Sequence, residues 1–269
     1  MIKAVIFDWA GTTVDFGSRA PMGAFVKLFE QNGISISIDE ARIPMGMNKW
    51  DHIEALLQMP QIQDQWKTLH HKLPAKADID RLLEEFVPMN KLALIENSDM
   101  IPGVVQVVQQ LEFDGIQIGS TTGYVRELMD VLIPIAAKNG YRPEICVCSG
   151  ETEKGRPSPQ MMKRCAEFFN IRDPEKIIKV DDTLPGIEEG KNFGSWTVGV
   201  ALSGNALGFS LDELNQLPEE KQSLLKQQAR QKILEMNPDF VIASVADLLP
   251  IIKKINQMMA SNLHPNAIG

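Results

Sequence analysis

The chain has 269 residues, of which 44% are hydrophobic, and a formal net charge of −8 at pH 7. This length allows one large domain, or a core with a smaller second domain, and the hydrophobic fraction is enough for a buried core. The acidic charge and the lack of a Lys/Arg-rich run argue against a nucleic-acid partner. The longest apolar stretches, such as Val131–Ala137, are far too short to span a bilayer.

Cysteine usage and the amino-terminal sequence indicate the compartment. The three cysteines are an odd number, and Cys146 and Cys148 alternate within an apolar run, which predicts buried strand residues in a reducing compartment. Neither a basic segment nor a cleavable apolar segment precedes the first predicted strand. We therefore expect a soluble cytoplasmic protein that binds neither nucleic acid nor membrane.

Short β-branched runs alternate with helical patterns along most of the chain, which predicts an α/β fold with a Rossmann-like parallel sheet core. The strand candidates are Ile2–Phe7, Ile116–Gly119, Ile145–Cys148, Lys176–Val180, Trp196–Val200 and Phe240–Ala243. The helix candidates between them are Val104–Glu112, Val125–Asn139, Pro159–Asn170, Gly186–Asn192 and Ala246–Gln257. Residues Ser210–Asn237 are rich in Gln, Glu, Lys and Leu and predict exposed helices on the core.

One region departs from this alternation. From about Ser18 to Asn97 the patterns are helical only, with polar loops predicted near Asn32–Ser35 and Pro60–Asp64. This predicts a helical cap domain inserted after the first strand. The expected division is therefore 18–97 for the cap, and 1–17 with 98–269 for the α/β core.

Reactive or phosphate-binding residues follow four of the predicted strands, at the edge where ligands bind to an open parallel sheet. The first strand is followed by Asp8–Thr13 and the second by Ser120–Gly123. The third is followed, after a loop, by Lys154–Pro157, and the fourth by Asp181–Thr183. Any one of these segments is a common turn or helix cap, but four in order on successive strands favour a single catalytic site.

These four segments resemble, in family order, the four motifs of the haloacid dehalogenase superfamily. The resemblance implies that Asp8 is the nucleophile that takes a phosphoryl group. It also implies that Thr122 donates its hydroxyl to the phosphoryl oxygens, with Gly123 beside it in the substrate site, and that Arg156 supplies a positive charge. A cation is physically reasonable there, because a carboxylate that approaches a negatively charged phosphorus centre must be relieved of repulsion.

The same resemblance implies a Mg²⁺ site formed by Asp8, the Ala10 backbone carbonyl and Asp182. Magnesium prefers carboxylate, carbonyl and water oxygens, so this donor set suits it. Some members carry Gly-Asp in the fourth motif and a second Asp four residues beyond, whereas this chain has Asp181, Asp182 and Gly186. We expect Asp181 to replace that outer carboxylate and to hold a metal-bound water.

Ala10 departs from the superfamily's common pattern. Phosphatases and phosphomutases of the superfamily usually carry an acid–base Asp two residues after the nucleophile, so a phosphate ester would lack its proton donor here. Ala10 indicates either an inactive relative or non-catalytic binding protein, or chemistry that needs no such acid. A dehalogenase or sugar-phosphate phosphatase with an unusual cap is the nearest alternative, and Ala10 disfavours it. The complete set of Asp8, Thr122, Arg156 and Asp182 makes a non-catalytic protein the weakest of these.

The cap segment Pro44–His52 resembles the substrate loop of phosphonoacetaldehyde hydrolases, and the opening Ile6–Asp15 matches that family including its Ala. The family resemblance implies that Lys49 forms an imine with the substrate aldehyde, and it also implies a homodimer. An imine accepts the electron pair of the breaking C–P bond, so no acid is needed at position 10.

The residues around Lys49 fit this chemistry. The start of a predicted helix and a closing cap should lower the pKa of Lys49, which must lose its proton to attack. His52 lies three residues further, on the same helix face, and is expected to shuttle protons. Met45 is expected to contact the imine, whereas for Tyr124 orientation of the site and simple packing are equally good interpretations.

Overall fold

The computed structural model describes residues 1–265 and contains one six-stranded parallel sheet in the order β3-β2-β1-β4-β5-β6. The strands are β1 (Ala4–Phe7), β2 (Gln117–Val125), β3 (Ile145–Ser149), β4 (Ile177–Asp181), β5 (Trp196–Val200) and β6 (Phe240–Ile242). The predicted α/β class and all six strand positions are confirmed. Strand β2 is longer than predicted, because its residues Gly119 to Thr122 continue to pair with β3.

Helices cover both faces of this sheet. They are α6 (Val104–Phe113), α7 (Arg126–Lys138), α8 (Gln160–Phe168), α9 (Leu184–Phe193), α10 (Leu211–Asn215), α11 (Glu219–Glu235) and α12 (Leu248–Ala260). Central strand β1 is buried throughout, with Val5 and Phe7 in one apolar cluster and Ala4 and Ile6 in another. Alternation between two buried faces is what a parallel sheet covered on both sides requires.

Residues 19–96 form helices only, as the sequence predicts. These helices are α1 (Arg19–Gln31), α2 (Ile38–Arg42), α3 (Lys49–Gln58), α4 (Pro60–His70) and α5 (Lys76–Glu96). They enclose their own apolar cluster, built around Phe25, Trp66 and Phe86. The end of α5 packs differently, since Leu94 belongs to the apolar cluster of the sheet.

The loop predicted at Pro60–Asp64 is wrong, because α4 begins at Pro60. Proline is well tolerated in a first helical turn, where its missing N–H would have no intrahelical partner. The exposed helices predicted at 210–237 are confirmed as α10 and α11, and α11 buries only Ala229 and Ile233. Within residues 1–265, none of the helices combines the length and the apolar character needed to cross a bilayer.

Candidate active site

The site lies where three adjacent central strands end. Phe7 pairs with Ser120 of β2 and with Val180 of β4, so the residues that follow these positions meet at one edge of the sheet. A cavity of about 30 Å³ lies at this edge, beneath the helical segment 19–96, which we call the cap. Seven of the nine site residues predicted from the sequence line this cavity, namely Asp8, Ala10, Met45, Lys49, Thr122, Gly123 and Arg156, whereas His52 and Asp182 do not. Asp182 lies behind that wall, in contact with Thr12.

Three buried carboxylates converge below the cavity. One oxygen atom each of Asp8, Asp181 and Asp182 lies within 4.8 Å of the others. Burial, and next the negative charge of Asp181, raise the pKa of Asp8 to about 6, although Arg156 and Lys179 oppose the shift. Burial and the charges of Asp8 and Asp181 raise the pKa of Asp182 well above its ordinary value.

A divalent cation fits this donor set, because it would relieve the repulsion that raises the pKa values of Asp8 and Asp182. The Asp182 carboxylate is also held in place from two sides. Its Oδ1 accepts a hydrogen bond from the Thr12 hydroxyl at 3.1 Å, and its Oδ2 accepts one from the Asn205 backbone N–H at 2.6 Å. Ala10 lines the cavity together with Asp8.

The positive charge of the site is local, as a chain of net charge −8 requires. Arg156 is buried, and its Nη2 lies 2.8 Å from Asp8 Oδ1 while its Nη1 lies 3.3 Å from Asp181 Oδ2. Burial by itself would lower the pKa of Arg156, but Asp181, Asp8 and Glu189 outweigh it and raise that pKa. The guanidinium therefore stays charged beside the Asp8 carboxylate.

Lys179 and Glu189 complete this buried network, and the sequence analysis did not identify either. Lys179 Nζ donates to the Thr121 hydroxyl at 2.6 Å and lies 3.1 Å from Asp181 and 3.3 Å from Glu189. Glu189 also lies 3.0 Å from Nε of Arg156. A lysine inside a run of apolar strand residues was the available signal, since a buried lysine must have a partner.

Asp181 fills the space that a side chain at position 186 would need. A Cβ placed on Gly186 would overlap the Asp181 carboxylate. Burial acts to raise the pKa of Asp181, but Arg156 and Lys179 hold it below its ordinary value. The position of this carboxylate fits a replacement for the outer carboxylate, while its role in holding water stays a prediction.

Lys49 enters the cavity from the cap. It is the first residue of α3, which Asn48 caps by accepting a hydrogen bond from the Asp51 N–H at 3.0 Å. Its Nζ lies 4.8 Å from the ring centre of Tyr124 and 5.5 Å from that of Phe25. Burial lowers the pKa of Lys49 to about 8, Asp8 opposes the shift and Arg156 adds to it.

His52 is on α3 but does not line the cavity. Its ring stacks on Phe25 with centroids 3.9 Å apart, and its Nε2 lies 3.0 Å from the Ala41 carbonyl oxygen. That carbonyl can only accept, so Nε2 carries the proton, and Nδ1 has no partner among the described residues. Burial, and next the Lys49 charge, hold the pKa of His52 well below its ordinary value. Its predicted shuttle role stays a prediction.

Two glycines allow the cap loop to lie directly on the core. A Cβ on Gly46 would overlap the Thr183 hydroxyl, and Gly46 has φ +91°, which other residues rarely adopt. A Cβ on Gly123 would lie 2.7 Å from the Met47 carbonyl oxygen. The cavity left between cap and core has room for little more than a water molecule, so in this structure the cap covers the site.

Known proteins resemble this chain over nearly its whole length. A family model described as haloacid dehalogenase-like hydrolase matches residues 2–194. The phosphonoacetaldehyde hydrolase of Paraburkholderia phytofirmans is 46% identical over 264 residues, which cover 98% of this chain and 99% of that protein. The phosphonoacetaldehyde hydrolase of Hahella chejuensis is 44% identical over 100% of this chain and 91% of its own length.

Solved structures resemble it as well. A phosphonoacetaldehyde hydrolase-like protein from Oleispira antarctica is 39% identical and has a TM-score of 0.96, covering 98% of this chain and 96% of that one. A β-phosphoglucomutase from Clostridium difficile, 19% identical, has a TM-score of 0.69 over 97% of this chain and all of its own, which indicates a shared fold.

Proposed function

The chain belongs to the phosphonoacetaldehyde hydrolases of the haloacid dehalogenase-like hydrolase family, and on that premise we propose that it hydrolyses phosphonoacetaldehyde to acetaldehyde and phosphate. The observation that carries the proposal is the pairing of two nucleophiles across one small cavity. The Lys49 amine reaches it from the cap and the Asp8 carboxylate from the core. Ala10 stands where an ester-cleaving relative would need its acid.

Lys49 acts on the carbonyl end of the substrate. Its neutral amine attacks the aldehyde carbon, and loss of one water gives a protonated imine. When the C–P bond breaks, its electron pair moves into this imine, which becomes an enamine. Protonation of the enamine carbon restores an imine, and water then releases acetaldehyde and the free Lys49 amine.

Asp8 acts on the phosphorus. Its carboxylate forms a bond to phosphorus as the C–P bond breaks, which gives an aspartyl-phosphate that a second water hydrolyses to phosphate. One water is released and two are consumed, so the sum is one water per substrate. Arg156 neutralises the phosphoryl oxygens from 2.8 Å beside Asp8, and the Thr122 hydroxyl donates to them.

We propose Mg²⁺ as the cation for the carboxylate cluster, held by Asp8, the Ala10 carbonyl and Asp182. When bound, it would supply positive charge that lets a carboxylate approach a negative phosphoryl group. The acidic cluster supports a divalent cation, and an oxygen-only donor set suits a hard cation such as Mg²⁺. Asp182 is oriented for this role by Thr12 and Asn205.

The remaining parts of the proposal concern the cap. Because the closed cavity is too small for the substrate, residues 18–97 act as a cap that opens for substrate entry and product release. Met45 covers the imine, and neutral His52 exchanges protons through its Nδ1, which has no partner within residues 1–265. We also propose a cytoplasmic homodimer that contacts its partner through cap helices, where apolar side chains such as Leu92 are exposed. Light scattering at micromolar concentration measures this state directly.

A turnover assay tests the proposed function. Purified protein is supplied with phosphonoacetaldehyde and Mg²⁺, and phosphate and acetaldehyde are quantified in the same sample. The expected result is equal amounts of both, lost in Lys49→Arg because arginine stays protonated, and retained in Lys67→Arg, a matched change on the cap surface. Phosphate without acetaldehyde, or faster turnover of a sugar phosphate, would contradict the proposal.

A further inference from the structure

We propose that Arg42 is a positioning residue that couples closure of the cap to the orientation of Asp182, through the core loop 203–208. The proposal adds to the proposed function and rests on it only for the identity of the cation at Asp182. Arg42 itself touches neither substrate nor cation. It acts through Asn205, whose backbone carbonyl contacts Arg42 of the cap and whose backbone N–H contacts Asp182.

The cap side of this link is a forked contact. Arg42 is the last residue of α2, and its Nη1 donates to the Asn205 carbonyl at 2.8 Å while its Nη2 donates to the Gly208 carbonyl at 2.7 Å. The Asn205 side-chain amide returns a longer bond of 3.4 Å to the Arg42 carbonyl. A planar guanidinium can hold two carbonyl groups at once, which a lysine ammonium on a flexible stem cannot do with fixed geometry.

The core side of the link reaches the carboxylate cluster. The Asn205 N–H donates to Asp182 Oδ2 at 2.6 Å, and a Cβ on Gly204 would lie 2.9 Å from Asp182 Cγ. Ser203 anchors the start of the loop, since its hydroxyl donates to the Gly11 carbonyl at 2.9 Å. The loop is therefore packed against Asp182 with little room to shift independently.

The sequence is adapted to this contact at Gly208. Its φ is +74°, and any Cβ there would overlap the Arg42 guanidinium. Beside the contact, a cleft of about 820 Å³ separates cap residues such as Met22 and Leu92 from loop residues such as Leu207. Arg42 thus bridges two parts of the molecule at the edge of an open gap.

The same cap segment also closes the active site. Arg42 is four residues before Gly46, which lies against Thr183, the residue that follows Asp182. Opening the cap would break the Arg42 fork and free Asn205, so the Asp182 carboxylate would lose the hydrogen bond from the Asn205 backbone N–H. Coupling of this kind is reciprocal, so a cation at Asp182 must favour the closed cap by the same factor.

Hydrogen exchange tests the link without any turnover. The Asn205 amide is bonded to Asp182, so its exchange rate reports the contact itself. In Arg42→Gln we expect exchange of the 203–209 amides at least about tenfold faster than in wild type, with Arg42→Lys between them. Arg81→Gln is the matched control, because Arg81 is also a cap arginine but pairs with Glu85 on the cap surface.

Cation affinity tests the coupling. Mg²⁺ alone is titrated while the thermal midpoint is followed, which gives an apparent dissociation constant without activity. Arg42→Gln should raise that constant at least about threefold, and Arg81→Gln should leave it unchanged. In Arg42→Gln, both the amide exchange rates of 203–209 and the apparent dissociation constant for Mg²⁺ must change. If either of them equals the value in the Arg81→Gln control, the proposal is overturned. Failure of wild type to release acetaldehyde would instead overturn the proposed function and leave these two results standing.

Discussion

Formation of the imine at Lys49 should accelerate with pH up to about pH 8 and then level off. The reason is that burial lowers the pKa of Lys49 from its ordinary 10.5 to about 8. At pH 7.5 a group with pKa 8 is about 24% neutral, whereas one with pKa 10.5 is about 0.1% neutral. The closed site thus increases the reactive fraction of the amine about 240-fold.

Two assays measure this pKa. The first follows kcat/KM for phosphonoacetaldehyde from pH 6 to 9.5 at saturating Mg²⁺, and the second follows the rate at which cyanoborohydride traps the imine. Below pH 8 both rates should fall about tenfold per pH unit, because protonation removes the nucleophile. Rates that are flat between pH 6 and 8, or that keep rising beyond pH 9.5, would refute the assignment of a lowered pKa to Lys49.

Stability provides an independent measure of the same pKa. Because the folded-state pKa of Lys49 is below the unfolded one, charged Lys49 destabilises the fold at every pH below about 8, and this cost disappears as the pH rises to 10.5. A shift of this size corresponds to a cost on the order of 3 kcal/mol at pH 7. Lys49→Met should therefore raise the free energy of unfolding at pH 7, and by much less at pH 10. No gain at pH 7 would contradict the burial argument.

Three further predictions concern the cation, the leaving group and the cap. Removal of divalent cations should abolish activity, and full activity after verified metal removal would contradict the cation assignment. Asp182→Asn should weaken Mg²⁺ binding yet raise the thermal midpoint measured without Mg²⁺, since burial and neighbouring charges raise the pKa of Asp182. Phosphate monoesters should react at least ~10²-fold more slowly than phosphonoacetaldehyde, because Ala10 cannot protonate an alkoxide; equal rates would favour a phosphatase. Gly46→Ala should lower kcat/KM about 5- to 150-fold, which corresponds to about 1–3 kcal/mol of strain in the closed state. The thermal midpoint should change little. An unchanged kcat/KM would mean that turnover does not require the contact between Gly46 and Thr183.

The sequence predicted what depends on local pattern. Alternating strand and helix signals identified the sheet, and parallel strands bring their carboxyl ends to one edge, so Asp8, Thr122 and Asp182 could be expected to converge. The sequence predicted, from the helix start and the closing cap, that the pKa of Lys49 is lowered. In the structure, burial is the largest cause of this shift. The helix start at Pro60 was missed because Pro and polar residues are typical of loops as well as of first helical turns.

Contacts between distant segments could not be predicted in this way. Lys179 and Glu189 look like ordinary charged residues until β4 and α9 are packed together, when both become fully buried beside Arg156. The Gly46 contact with Thr183 joins the cap to the core across a long stretch of sequence. Such pairs depend on how whole elements dock, which neither periodicity nor spacing determines.

Identification of the lysine that becomes covalently attached to substrate tests the central claim most directly. Borohydride is added to the enzyme during turnover of phosphonoacetaldehyde, and the intact mass and peptide map are recorded. We predict inactivation with one adduct per chain on the peptide that contains Lys49, as an N-ethyl group if reduction follows C–P cleavage or an N-(2-phosphonoethyl) group if it precedes it. An adduct on any other lysine, or continued turnover with no adduct at all, would contradict the mechanism.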